Sequence, residues 1–142
     1  GDRDVERVLE WVARVADASP IPIKVTCAPQ YARVRAKLGL KQTGHGRGCM
    51  AGDGFAFVSA RGEVRPCGYF ERTAGNVRER AFDELYLDSQ LFNDLRDLDR
   101  LEGRCGVCPY KRMCGGCRAR ALAVEGTYMA GDPTCTFHPS QR

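Results

Sequence analysis

Eight cysteines are the feature that most constrains how this chain can fold. Four of them fall in one short run with the spacing C-x2-C-x5-C-x2-C, in which each closely spaced pair can reach a shared metal centre. The run contains Cys105, Cys108, Cys114 and Cys117, and the remaining cysteines are Cys27, Cys49, Cys67 and Cys135. Eight thiols divide evenly into two sets of four, the number that one tetrahedral zinc ion or one 4Fe–4S cluster requires.

The context of these cysteines favours metal binding over disulfide bonds. Residues 1–19 predict an amphipathic helix and lack the apolar segment of an export signal. We therefore expect a reducing, cytoplasmic location, in which thiols stay available as ligands. The chain begins at Gly1 without a methionine, and we expect it to be a piece of a longer protein.

Charge and hydropathy exclude two classes of partner. The formal net charge is only +4, and the basic residues are interspersed with acidic ones instead of forming a basic face for nucleic acid. No run approaches the roughly 18 apolar residues that a membrane-spanning helix needs. We therefore expect neither a nucleic-acid partner nor a membrane.

The first 40 residues predict a helix, a strand and a second helix. Val5, Leu9 and Val12 belong to an apolar pattern with helical spacing that continues to about residue 18. Residues 21–26 are rich in β-branched side chains and predict a short strand, and residues 30–38 predict the second helix. This order is typical of the last unit of an α/β barrel, so we assign residues 1–40 to the end of a truncated barrel.

Residues 41–142 predict a second domain that is small and irregular. Residues 55–59 and 63–66 predict a β-hairpin, and residues 82–98 predict two short helices divided near Ser89. A further helix is predicted from Arg118 to Glu125, ended by the glycine that follows. The predicted fold class is therefore α+β, with a hairpin and short helices arranged around two metal centres.

Spacing alone leaves the metal open. Zinc sites often include histidine, and the chain has only His45 and His138, yet a four-cysteine zinc site fits the spacing as well as a cluster does. A zinc-stabilised binding module and a small ferredoxin-like electron carrier are therefore alternatives to an enzyme domain.

The order of the cysteines resembles the SPASM region of radical SAM enzymes, and the resemblance covers residues 26–139. In that family a cysteine is followed, after a gap, by Gly-x4-Cys, then by C-x2-C-x5-C-x3-C and a final cysteine. Cys49 and the stretch Gly62-Glu-Val-Arg-Pro-Cys67 match the first part. Cys117 comes one residue early in the second part, and Cys135 is the final cysteine. The resemblance implies two auxiliary 4Fe–4S clusters behind a catalytic barrel.

Shorter motifs resemble one branch of that family, the enzymes of haem d1 and alternative haem biosynthesis. These motifs are Cys27-Ala-Pro-Gln, Gly48-Cys49-Met-Ala-Gly, Val64-Arg-Pro-Cys67-Gly-Tyr, Ala74-Gly-Asn-Val77 and Cys114-Gly-Gly-Cys-Arg-Ala-Arg-Ala121. The branch acts on propionate or acetate side chains of tetrapyrroles, so the resemblance implies a tetrapyrrole substrate. Peptide-modifying maturases share the wider pattern, and a peptide substrate is the alternative.

The resemblance also implies how the ligands are divided. An outer cluster would be held by Cys105, Cys108, Cys114 and Cys135. An inner cluster, nearer the substrate, would be held by Cys49, Cys67 and Cys117. We expect Cys27 to be its fourth ligand because these clusters prefer four thiolates; His45 and an open iron position are the alternatives.

The chain lacks the C-x3-C-x2-C motif that binds the SAM-cleaving cluster of this family. We therefore do not expect it to catalyse alone, and we expect S-adenosylmethionine and a third 4Fe–4S cluster in another part of the parent protein. The expected role is to exchange electrons with a redox partner protein and to close the substrate cavity.

Cations flank the predicted ligands and would raise the reduction potential of a negatively charged cluster. They are Arg104, Lys111, Arg112, Arg118 and Arg120. Arg118 and Arg120 cannot share one face of the predicted helix, so one could lie near a cluster while the other binds substrate carboxylates. Ordinary surface positions are the alternative for both.

Overall fold

The computed structural model describes residues 2–42 and 47–139 and has an α+β fold, as predicted. In chain order the helices and strands are α1 (Asp2–Ala18), α2 (Gln30–Lys37), β1 (Phe57–Val58), β2 (Glu63–Arg65), β3 (Gly75–Asn76), α3 (Phe82–Asp88), α4 (Gln90–Arg96), a 3₁₀ turn (Leu98–Arg100), α5 (Gly103–Gly106) and α6 (Arg118–Glu125). Across these described ranges, no helix combines the length and apolar character that crossing a membrane demands.

Helices α1 and α2 pack against each other, and both predicted helices are confirmed. Leu9 and Ala13 of α1 are buried against Tyr31 and Val34 of α2. The apolar pattern of α1 is broader than this contact, because Val8, also part of the pattern, is 57% exposed. Only one edge of the predicted apolar face is therefore covered.

The strand predicted at residues 21–26 is wrong, because these residues have no regular secondary structure. A strand is stable when its backbone N–H and C=O groups pair with a neighbouring strand. In the described part of the chain, the sheet contains only β1, β2 and β3, which pair with one another. Two helices joined by an irregular segment therefore replace the predicted helix–strand–helix unit, and its assignment to a barrel stays a prediction.

The predicted hairpin is confirmed, although its strands are shorter than expected. β1 pairs antiparallel with β2, with Val58 opposite Val64. The sequence did not predict β3, which consists of two residues and pairs with the other edge of β2. Val64 is fully buried beneath the sheet and belongs to one core with Leu85 and Phe92.

Helices α3 and α4 are divided at Ser89, as predicted. The Ser89 hydroxyl accepts a hydrogen bond from the backbone N–H of Phe92 and so caps the start of α4. Leu95 of α4 and Leu122 of α6 belong to a second core around Phe70. The α6 helix has the predicted boundaries and ends at a left-handed glycine. This second core matters for the site because two cysteines pack against it.

Substitutions at two leucines of α3 test this arrangement. Leu85 is fully buried and Leu87 is 58% exposed. We expect Leu85→Ala to lower the free energy of unfolding by about 2–5 kcal/mol, because it leaves a cavity beneath the sheet. The matched Leu87→Ala control should change it by less than about 0.5 kcal/mol. Anaerobic urea denaturation would measure both, and equal losses would contradict the described core.

Candidate metal centres

All eight cysteines are free thiols in the structure, so none of them forms a disulfide. The outer group, defined as Cys105, Cys108, Cys114 and Cys135, lines a single cavity. Side chains from α2 complete part of the wall of this cavity, among them Gln30 and Arg33. Three thiols of the short cysteine run and the more distant Cys135 therefore face the same cavity.

The other thiols form an inner group, defined as Cys27, Cys49, Cys67 and Cys117. The pKa of the Cys49 thiol responds to the charges of Cys117 and Cys27, and that of Cys67 responds to Cys49 and Cys117. Cys67 and Cys117 also pack against the core around Phe70. The structure thus brings the predicted inner residues into one neighbourhood, and their role as ligands stays a prediction. His45 lies outside the described residues.

The turn between Cys114 and Cys117 explains how neighbouring thiols join different groups. Gly115 and Gly116 both adopt left-handed backbone conformations, with φ values of +67° and +66°. Such conformations are costly for residues with a Cβ and easy for glycine. The reversal leaves Cys114 in the outer group and directs Cys117 to the start of α6 and the inner group.

A close backbone approach brings the two ends of the inner group together. A Cβ atom at Gly48 would lie 2.4 Å from the carbonyl oxygen of Pro29, so only glycine fits beside that residue. The backbone N–H of Gly48 also donates to the carbonyl of Met113, at 2.6 Å. Cys49 is therefore held beside the segment that carries Cys27.

Cys27 has an unusual backbone conformation. Its φ is +59°, and it is the only non-glycine residue with positive φ in the described ranges. The guanidinium of Arg120 donates to the Cys27 carbonyl oxygen, at 3.1 Å. A strained residue of this kind persists only where its surroundings hold it, which often happens at functional sites.

Burial keeps several of these thiols protonated. It raises the pKa of Cys49, Cys67 and Cys108 above the ordinary value, and it raises the pKa of Cys114 to about 12. These four thiols are therefore neutral at pH 7 unless a metal displaces their protons.

Arg118 lies between the two groups and is buried, with 6% of the residue exposed. One terminal nitrogen donates to the Cys105 sulfur at 3.4 Å, and the other donates to the carbonyl oxygens of Tyr128 and Ala130. Its charge also lowers the pKa of Cys49, although burial raises that pKa more. Arg118 is therefore not a surface residue; it contacts one thiol group and acts electrostatically on the other.

Arg120 lies on the opposite side of α6 from Arg118, and its guanidinium donates hydrogen bonds to groups of the protein. It donates to the carboxylate of Asp132 at 3.3 Å, to the Thr134 hydroxyl and to the Cys27 carbonyl. The substrate role suggested for Arg118 and Arg120 stays a prediction, and in the structure both guanidinium groups have protein partners. Among the other flanking cations, Arg104 donates to the Cys135 carbonyl.

Sequence reasoning missed two buried residues of the site. Arg33 is 1% exposed and forms a two-point ion pair with Glu6, at 2.7 and 2.6 Å. Asp132 is also 1% exposed; its carboxylate accepts from the Cys117 N–H at 2.8 Å, and its own N–H donates to the Cys105 sulfur at 3.4 Å. No local pattern marks either residue, because their partners are distant in sequence.

The eight candidate donors are all thiols, the ligands that iron–sulfur clusters use. Within residues 2–42 and 47–139, no three Cys, His, Asp or Glu side chains form a group that could hold one metal ion. Zinc would need its thiolates about 2.3 Å from one point, whereas a cluster spreads its ligands over several iron atoms. The Nε atoms of Arg33 and Arg118 are buried without a hydrogen-bond partner, and such donors suit the sulfurs of an anionic cluster.

Comparison with known proteins agrees with this geometry. Residues 49–118 match the SPASM family model, described as an iron-sulfur cluster-binding domain. The chain is 41% identical to "AdoMet-dependent heme synthase" of Methanosarcina barkeri over 98% of this chain and 43% of the relative. It is 39% identical to "Pre-heme d1 synthase" of Dinoroseobacter shibae over 62% of this chain and 23% of the relative.

A third relative is named for a different activity. The chain is 36% identical to "PqqA peptide cyclase" of Xanthomonas oryzae over 65% of this chain and 27% of the relative. The chain thus spans less than half the length of each of these three relatives. From its cysteine pattern, its geometry and these similarities, the chain belongs to the SPASM family of iron–sulfur cluster-binding domains found in radical SAM enzymes.

Proposed function

We propose that this chain binds two auxiliary 4Fe–4S clusters of a radical SAM enzyme and positions them for electron transfer beside the substrate. The observation that carries the proposal is the separation of eight free thiols into two groups of four. When bound, such clusters supply one-electron transfer. The protein supplies ligands and nearby positive charge.

The proposed ligands follow the two groups. The outer cluster is held by Cys105, Cys108, Cys114 and Cys135, and the inner cluster by Cys27, Cys49, Cys67 and Cys117. Cys27 is preferred over His45 or an open iron because its thiol interacts with that of Cys49. Its left-handed backbone and its hydrogen bond from Arg120 give further support, since both fix this residue beside the group.

The division of the chain and the parent activity are also proposals. Residues 1–40 are assigned to the end of the radical SAM barrel, and residues 41–142 to the auxiliary cluster domain. S-adenosylmethionine and a third 4Fe–4S cluster belong to the rest of the parent enzyme, and a separate redox protein exchanges electrons with it. The reducing cytoplasm is the proposed location, because it would keep the eight thiols reduced.

The proposed substrate is a tetrapyrrole whose carboxylate side chains are modified. Its support is the similarity to a protein named for heme synthesis, which covers 98% of this chain. A peptide substrate is the second candidate, supported by the similarity to a protein named as a peptide cyclase. That similarity covers 65% of the chain, so the tetrapyrrole is preferred.

Iron counting tests the proposed cofactor load. We expect anaerobic reconstitution with iron and sulfide to give about eight iron and eight sulfide per chain, since each cluster contains four of each. The protein should be brown, with a broad absorption band near ~400 nm that zinc cannot produce because its d-shell is full. Near-zero iron, or stoichiometric zinc in the natively purified parent enzyme, would contradict the proposal.

Two cysteine substitutions test the ligand assignment. We expect Cys108→Ala to remove or alter the EPR signal of the outer cluster alone, and Cys27→Ala to alter that of the inner cluster alone. Each variant is the control for the other, because each removes one thiol and leaves the second group complete. An unchanged inner signal in Cys27→Ala would reject Cys27 as a ligand and favour His45 or an open iron.

A further inference from the structure

Positive charge is distributed unevenly around the two thiol groups. Arg33, Arg104 and Lys111 line the cavity of the outer group together with one carboxylate, that of Asp132, and Arg118 donates a hydrogen bond to one of its sulfurs. Near the inner group, Arg120 donates to the Cys27 carbonyl oxygen instead of to a sulfur, and Arg118 acts on Cys49 through its charge. The two sites therefore differ in their electrostatic surroundings even though each offers four sulfurs.

Arg118 is the closest of these cations to a sulfur. Its Nη2 lies 3.4 Å from the sulfur of Cys105, while its Nη1 is fixed by the carbonyl oxygens of Tyr128 and Ala130 at 2.9 and 2.6 Å. Gly116 leaves the space that this arrangement needs, because a Cβ there would lie 2.5 Å from Nη2 of Arg118. The backbone thus fixes a buried guanidinium against the outer group.

Arg33 approaches the outer group from α2. Its pKa is raised above its ordinary value: burial opposes the charge, but the hydrogen bond and charge of Glu6 outweigh burial. Cys135 and Cys114, when ionised, raise the pKa further. Arg33 therefore stays charged while lining the cavity, and Phe137 covers its guanidinium at 5.1 Å from the ring centroid.

Both guanidinium groups keep one donor unused. The Nε atoms of Arg33 and Arg118 are buried and have no hydrogen-bond partner in the structure. Leaving a buried charged donor unpaired is costly, so each of these two atoms can take an acceptor; the Nε of Arg65 and the Oε1 of Gln30 are also buried without a partner. Cluster sulfides are acceptors of the required charge, and hydrogen bonds to cluster sulfur raise the reduction potential.

We propose that Arg33 and Arg118 bracket the outer cluster and give it a higher reduction potential than the inner cluster. This inference rests on the proposed function, and it goes beyond it by ordering the two potentials. Two buried positive charges stabilise the reduced, more negative state of the outer cluster, and low local dielectric strengthens the effect. At equilibrium, one electron shared between the sites resides at the outer site and leaves the inner site oxidised.

The test is an EPR-monitored redox titration of the reconstituted chain, with Cys108→Ala used to identify the outer signal. We expect the unmodified chain to show the higher potential at the outer cluster. Arg118→Gln and Arg33→Gln should each lower that potential by at least about 59 mV. For one electron, this shift is a tenfold change in the equilibrium constant for reduction. Arg118→Lys keeps the charge and should retain most of the potential.

Glu6→Gln tests the same inference through a shift of the outer cluster's reduction potential in the opposite direction. Arg33 lowers the pKa of Glu6, mainly through its hydrogen bond, so the carboxylate is ionised at pH 7. Removing this negative charge should raise the outer potential, the opposite of the shift expected for Arg33→Gln. Arg96→Gln is the control, because Arg96 also holds backbone carbonyls, those of Gly52 and Tyr86, and should leave both potentials unchanged.

The outcomes separate this inference from the proposed function. With both clusters present, an outer potential at or below the inner one, or one that Arg118→Gln and Arg33→Gln leave unmoved, overturns the inference and leaves the function standing. Failure of the unmodified chain to bind iron overturns the function itself. Where an arginine variant loses the outer cluster, Glu6→Gln decides: an upward shift supports the inference, and no shift overturns it.

Discussion

The fold has to keep two sets of thiols close together although no disulfide bond joins them. The apolar cores are small: the buried part of the largest consists of Phe70, Leu91, Leu95, Ala119 and Leu122. Small cores supply limited stability, and metal-binding domains of this size commonly gain the remainder from the metal centre. Metal centres at the two thiol groups would therefore connect segments that apolar packing alone joins weakly.

Buried polar contacts supply the second connection between segments. Asp132 accepts from Arg120 and from the Cys117 N–H, so it joins the start of α6 to the turn before Cys135. Arg120 extends this network to the Cys27 carbonyl, and Gln30 of α2 donates to the Thr134 hydroxyl at 2.8 Å. Breaking one member would leave its buried partners unpaired, so the network fixes the positions of the candidate ligands closely.

This network also explains why Cys27 belongs with a group so distant in sequence. Its segment carries no strand and its thiol is exposed, although Val25 and Ala28 pack against the core between α1 and α2. The guanidinium of Arg120 and the close approach of Gly48 to Pro29 also fix the segment. Hydrogen bonds and backbone fit therefore add to apolar packing in placing this candidate ligand.

Local patterns predicted much of the fold. Helices α1, α2 and α6, the division of α3 from α4 at Ser89 and the hairpin all follow from periodicity, caps and turn residues within a few positions. The strand at residues 21–26 failed because strand formation needs a partner that local composition cannot supply. β3 was missed because its two residues, Gly75 and Asn76, are too few to carry a pattern.

The candidate site, like the fold, could be predicted from the sequence only in part. Cysteine spacing and family resemblance identified the thiols, and the structure gathers them into two neighbourhoods. Arg33 and Asp132 could not be identified, since their importance comes from tertiary contacts with Glu6, Cys117 and Cys105. The sequence therefore predicts the candidate ligands, while the buried charges beside them emerge only from the packed structure.

Anomalous diffraction at the iron edge, recorded from crystals of the cluster-loaded parent enzyme, would locate the iron relative to the two thiol groups. We expect two separate iron centres in this region, one contacting only the outer thiols and the other only the inner thiols. A single centre, a centre that draws thiols from both groups, or isolated metal ions in place of clusters would contradict this expectation.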